Sequence, residues 1–124
     1  MSKFVKVKTE LRDLTMIKQS LEDLKLSYTE NAVWTHLFGG FSGKVDVVVN
    51  ASKISFGLRK NEQEVYEVLA DDMQMKPIRA TLQKVQQRYA YHKVIAETAK
   101  AGFDLVEEKV GTDQVIRLTV RRWN

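Results

Sequence analysis

Gln87-Arg88-Tyr89-Ala90-Tyr91-His92-Lys93-Val94 is the stretch whose reading decides the fold. Two tyrosines two residues apart cannot share one helix face, so a helix through them is apolar on two sides. Ten residues upstream, Pro77 suits a first helical position, where an N–H would be unpaired anyway. At about 100° per residue, Ile78, Leu82, Val85, Tyr89, His92, Ala96 and Ala99 fall on one face. Ala80, Gln87, Tyr91, Val94, Thr98 and Ala101 lie nearly opposite, with Ile95 between the stripes and Arg79, Lys84, Arg88, Lys93, Glu97 and Lys100 in the seams. Gly102 fits the left-handed position after a helix end, and Lys100 places positive charge in the last turn. One stripe is expected to cover a sheet. The other needs a helix, a loop or a partner chain.

Beyond Gly102, Phe103 to Val110 and Gln114 to Trp123 read as a hairpin around Gly111-Thr112-Asp113. Ile116, Leu118 and Val120 face one way; Val115, Arg117, Thr119, Arg121 and Trp123 face the other. A three-residue loop would set Glu107 opposite Arg117. Upstream, Phe4 to Leu11 alternates as a strand, and Asp13 is a good N-cap for a helix carrying Leu14, Ile17, Leu21 and Leu24 at helical spacing. Ala32 to Leu37, Lys44 to Val49, Ile54 to Arg59 and Val65 to Ala70 read as further strands. Gly57 marks a bulge or a close backbone approach, and Phe38 to Lys44 is a glycine-rich tip flanked by aromatics. The order is β-α-β-β-β-β-α-β-β. It implies an α+β fold, a single antiparallel sheet with two helices packed on one face. Val5, Val7, Leu14, Ile17, Leu21, Val47, Val49, Leu82, Val85, Tyr89, Ile116, Leu118 and Val120 are its expected core.

With 124 residues, residues 1–124 read as a single domain large enough to bury a core. No cysteine is present, which excludes disulfides, thiolate chemistry and cysteine-ligated metal. The N-terminus lacks a signal-like apolar run, and no stretch approaches the ~20 apolar residues of a membrane span. A soluble protein that stays where it is made is expected. The net charge of +4 permits attraction to acidic partners without establishing nucleic-acid binding.

The central octet, with Glu97, Gly102-Phe103, Glu107-Glu108, Ile116, Leu118, Val120 and Arg121-Arg122-Trp123, carries a family resemblance. So does the opening Met1-Ser2-x-Phe4 with Lys8-Thr9. The chain resembles the family catalogued as domain of unknown function 1257, which includes the hypothetical chloroplast reading frame 35 proteins of cyanobacteria and plastids. Lys3 stands where that family usually has histidine. The likeness covers both ends well and the middle loosely. It implies a small soluble protein, cytoplasmic or in the plastid stroma, of photosynthetic lineages and without an established catalytic activity.

No residue constellation specifies a reaction. Gly39-Gly40-Phe41-Ser42-Gly43-Lys44 departs from a phosphate-binding loop: Phe38 holds the first glycine's place, Val45 replaces the hydroxyl residue, and a strand follows. A flexible hairpin tip is expected instead. His36 and His92 lie on different elements without metal-ligand spacing, and His92 is expected to make a buried hydrogen bond. Neither Ser42 nor Ser55 has triad partners at recognisable positions. Asp71-Asp72 reads as a solvated turn, and Glu107-Glu108 point to opposite strand faces. No catalytic, cofactor or metal residues are therefore assigned, and no enzyme activity is expected. The candidate interface is Arg88, Tyr91, Val94, Ile95 and Thr98, for another protein or for self-association through the long helix. The alternative is a basic patch of Arg117, Arg121, Arg122 and Trp123 on a nucleic acid. The reading favoured is a non-catalytic protein-binding or assembly module.

Overall fold

The computed structural model describes residues 3–36, 39–110 and 115–122. The elements run β1 (Phe4–Lys8), α1 (Leu14–Asp23), β2 (Ser27–Thr35), β3 (Ser42–Ala51), β4 (Ile54–Lys60), β5 (Tyr66–Asp71), α2 (Met75–Lys100), β6 (Phe103–Val110) and β7 (Ile116–Arg122). This is the expected α+β order. Five strands form one antiparallel sheet, β1-β5-β4-β3-β2, and the closing hairpin β6-β7 forms a ladder of its own.

Both helices cover one face of the large sheet. Ile17 and Leu21 of α1 and Ile78, Leu82, Val85 and Tyr89 of α2 pack on Val47, Val49, Phe56, Leu58, Val68 and Ala70. Asp13 caps α1 as expected, its carboxylate accepting from the Met16 N–H at 3.1 Å. Val5, Val7 and Leu14 reach this core but remain half-buried. Ile116 and Leu118, expected in the core, are half-buried as well, because the hairpin packs on α2 and not on the sheet. The Val120 side chain lies outside the described residues.

Several boundaries differ from the sequence expectation, each for a local reason. The β1 ladder stops at Lys8, yet Thr9 continues beside β5: its N–H and hydroxyl both donate to the Tyr66 carbonyl. α2 starts at Met75, two residues before Pro77. Asp71 accepts from the Met73 N–H at 2.9 Å and nucleates a 3₁₀ turn at Asp72–Gln74 that runs into the helix. Asp71 is therefore a buried cap, not part of a solvated turn. Gly102 adopts φ +85°, as its place after the helix suggests. In the hairpin, Glu107 pairs with Thr119, and Lys109 takes the position opposite Arg117. The ladder closes at Val110–Ile116, two residues later than a three-residue loop allows, and the register also shifts between Leu105 and Glu107.

The other face of the sheet has a smaller core that the chain pattern does not announce. The first half of β3 pairs with β2 alone, since β4 begins its pairing at Val47. That free end of the β2–β3 hairpin reaches back over the sheet. Trp34 settles on Gly57, where an added Cβ would lie 3.4 Å from the indole and 3.2 Å from Val45. Gly57 is thus a close approach and not a bulge. The Phe41 ring stacks on Phe4 of the opposite edge strand at 5.0 Å. Gly40 sits so close that a Cβ would meet Phe4 at 2.7 Å. The expected flexible tip is packed down. Leu37 and Phe38, within it, lie outside the described residues.

Candidate functional site

The polar signature on α2 faces α1 and the hairpin. Tyr89 is buried, and its hydroxyl accepts from the N–H groups of Arg12 and Asp13 at 3.1 and 3.0 Å. One phenol so satisfies two backbone donors at the entry of α1. Three residues along, the exit of α1 is held as well. His92 Nε2 lies 2.6 Å from Asp23 Oδ2, and Arg88 Nε donates to the same oxygen at 3.1 Å. Spacing explains the division of labour: Arg88 and His92 are one turn apart, on the seam between the core and the outer stripe. His92 is half-buried at a helix–helix contact rather than enclosed against the sheet.

Arg88 also reaches across to the hairpin, its guanidinium 3.6 Å from Glu108 of β6. Its Cζ stands 4.2 Å over the Tyr91 ring, whose edge meets His92 at 5.2 Å. Partial burial acts to raise the Asp23 carboxyl. Hydrogen bonds and positive charge from His92 and Arg88 outweigh it and hold the group below the ordinary carboxylate value. The Tyr91 hydroxyl is pushed up by burial and by the hydrogen bond and charge of Glu108.

Beside this network the outer stripe of α2 meets the hairpin incompletely. Gln87, Ala90, Tyr91 and Val94 face Val115, Ile116 and Leu118 across a groove of about 290 Å³. Val94 keeps 39% of its surface exposed and Val115 46%. Of the candidate interface residues, Tyr91 and Val94 line this groove. Arg88 is engaged with Asp23 and Glu108 at its side. Thr98 donates to the Val94 and Ile95 carbonyls, and Ile95 is half-buried. Of the alternative basic patch, Arg117 and Arg121 are exposed on the outward side of β7. The Arg122 side chain and Trp123 lie outside the described residues.

A second groove, about 400 Å³, runs between the start of α1 and α2. It sets Arg12, Lys93 and Lys100 among Glu10, Asp13 and Glu97, so the charges cancel. His36 sits far from both grooves in sequence and is buried. Its Nδ1 accepts from the Gly40 N–H at 3.2 Å and its Nε2 lies 3.3 Å from Asp71 Oδ2. Nδ1 is the acceptor in this arrangement, so Nε2 carries the N–H that faces Asp71. The imidazole thus pins the glycine tip to β5. No group of three or more His, Asp or Glu side chains among the described residues is placed to hold a metal ion.

A family model described as "Protein of unknown function (DUF1257)" matches residues 20–119. The chain belongs to this DUF1257 family. The match begins inside α1 and ends inside β7, so it contains Asp23, Arg88, Tyr89, Tyr91, His92, Glu108 and every residue of the groove between α2 and the hairpin. Relatives named "Uncharacterized protein ycf35" occur in Pyropia yezoensis, Guillardia theta and Cyanophora paradoxa. They are 33%, 32% and 29% identical, covering 100%, 99% and 99% of this chain and 99%, 98% and 98% of their own length. No solved structure matches.

Three members of the site were missed in reading the DUF1257 sequence. Asp23 lies among the polar positions of α1, off the apolar stripe; Asp71 falls in the pair expected as a solvated turn, and Glu108 in the pair expected on opposite strand faces. Only the positions of α2 and the tip give each carboxylate its partner. No periodicity in the local sequence marks them.

Proposed function

We propose that this DUF1257 protein is a non-catalytic accessory module that holds another protein in the groove between α2 and the β6–β7 hairpin. The supporting observation is the pair Val94 and Val115, left exposed on the two lips of an otherwise apolar groove. Exposed apolar surface with a rim of polar groups is a common mark of an interaction site. Tyr91 in the groove lining suits such a role, since its ring gives apolar area while its hydroxyl keeps Glu108. The non-catalytic half of the reading is supported by the use of both histidines in contacts that join elements. His36 ties the tip to β5, and His92 ties α2 to α1. No helix among the described residues is long and apolar enough to cross a membrane. The ycf35 relatives support a place in the plastid stroma or the cytoplasm of a photosynthetic cell.

The test uses the whole chain as bait in extract from a photosynthetic cell, beside Val94→Asp. A protein retained by the natural chain and lost with Val94→Asp, while circular dichroism shows both folded, is the expected result. Equal retention by both overturns the groove as the docking site. The other reading, nucleic acid on the outward side of β7, draws on the exposed Arg117 and Arg121. It predicts retention that collapses with nuclease or with salt in the steep manner of phosphate binding.

A further inference from the structure

The charge of this chain is segregated along its length. Residues 1–74 hold ten Lys and Arg against eleven Asp and Glu, whereas residues 75–124 hold ten against five. Most of that excess lies on α2, with six cationic side chains and one acidic one, Glu97. Arg88 is occupied by Asp23 and Glu108, but Lys76, Arg79 and Lys84 are exposed. Among the described residues none of these three pairs with a carboxylate. All three lie on the N-terminal half of the helix: Lys76 is on the outer side, in line with Ala80, Gln83, Gln87 and the groove at Val94, and Arg79 and Lys84 flank that side from its two seams. The described residues of the hairpin meet that side only from Gln87 onward. Among the described residues this side therefore carries two features in series: three unpaired cations, one central and two flanking, then an apolar slot.

We infer that this face is the seat of an acidic amphipathic helix of a partner protein, lying along α2 with an apolar side chain between Val94 and Val115 and carboxylates against Lys76, Arg79 and Lys84. The inference rests on the proposed docking groove and adds the chemistry of its occupant. Length sets a requirement. At 1.5 Å per residue, Lys84 and Val94 stand about 15 Å apart along α2, and Lys76 and Val94 about 27 Å. A partner helix must place its acids about ten to eighteen residues from its apolar anchor. The same surface is less suited to nucleic acid, for a reason visible at Tyr91. Arg88 already lies over that ring at 4.2 Å, so a base cannot stack on the covered face.

The experiment selects binders from a displayed library of random 25-residue helical peptides on the intact chain. Enriched peptides are then measured by fluorescence anisotropy against the natural chain and two variants. One carries Lys76→Glu, Arg79→Glu and Lys84→Glu together; the other carries Val94→Asp. The expected result is enrichment of peptides with an acidic cluster about ten to eighteen residues from a large apolar residue. Affinity should drop at least roughly tenfold in each variant, with circular dichroism unchanged. Should the charge variant leave binding intact while Val94→Asp abolishes it, the groove stands and the acidic occupant is wrong. Binders indifferent to both variants, or no binders at all, overturn the acidic helix and the groove together. A single-stranded oligonucleotide that binds the natural chain, is lost with the charge variant and is unaffected by Val94→Asp would assign the cations to phosphate instead.

Discussion

At the level of single residues, Tyr89 does more than its place in an apolar stripe suggests. Its ring fills the core between the helices, while its oxygen takes up the Arg12 and Asp13 N–H groups. Tyr89→Phe keeps the ring and strands two backbone donors. We expect a loss of about 1–3 kcal/mol, read as a lower urea midpoint at unchanged slope. Burial also separates two leucines that the sequence treats as equals. Leu21 has no exposed surface and touches both helices' core, so Leu21→Ala should cost about 2–5 kcal/mol. Leu118 lines the open groove and is half-buried, so Leu118→Ala should cost less than half as much in the same titration. Equal costs would mean that the hairpin is as firmly packed as the sheet.

At the level of elements, the hairpin is tied to the rest mainly through α2. Arg88 is the joint, bonded to Asp23 on α1, close to Glu108 on β6 and stacked on Tyr91. Arg88→Met keeps much of the aliphatic stem and removes all three polar contacts. Amide exchange in β6 and β7 should then quicken while β3, β4 and β5 keep their protection, because the sheet core has no stake in the guanidinium. Uniform loss of protection would show that the hairpin and sheet open as one unit. The β2–β3 tip is the second added element. Gly40 admits no Cβ without moving Phe4 or His36, so Gly40→Ala should cost about 1–3 kcal/mol and disturb the Phe4–Phe41 stack. A neutral outcome would mean that the tip does not need its close approach.

At the level of the whole molecule, acid should act through the helix–helix contact. The folded Asp23 carboxyl lies below its ordinary value of 3.8, so the unfolded chain binds this proton more readily. Its contribution is complete above that value and disappears as pH falls through the lower, folded one. Urea midpoints of the natural chain should therefore decline at the acid end, and Asp23→Asn should flatten that part of the curve. The same slope in both proteins would place acid sensitivity elsewhere. Salt acts on the other large-scale feature, the positive α2 side. Docking of an acidic helix there should weaken as ionic strength rises, though less steeply than phosphate binding, since part of the contact is apolar.

What the sequence determined by itself was the list and order of elements, the amphipathic α1, the main stripe of α2 and the alternation of β7. These are local properties. Each element states in its own period which side must leave water, and Asp13 and Gly102 mark ends through backbone groups within a few residues. What only the tertiary structure decided lies between elements. The second stripe of α2 reads the same whether a helix, a hairpin or a partner covers it; the fold brings β6–β7 over half of it and leaves Lys76, Arg79 and Lys84 open. The register of that hairpin turns on a shift near Leu105, which hydrophobic alternation does not encode. Asp23, Asp71 and Glu108 became neighbours of His92, His36 and Arg88 across separations of twenty residues or more. Charge pairing and close packing at that range depend on where whole elements come to rest, and no window of sequence holds that information.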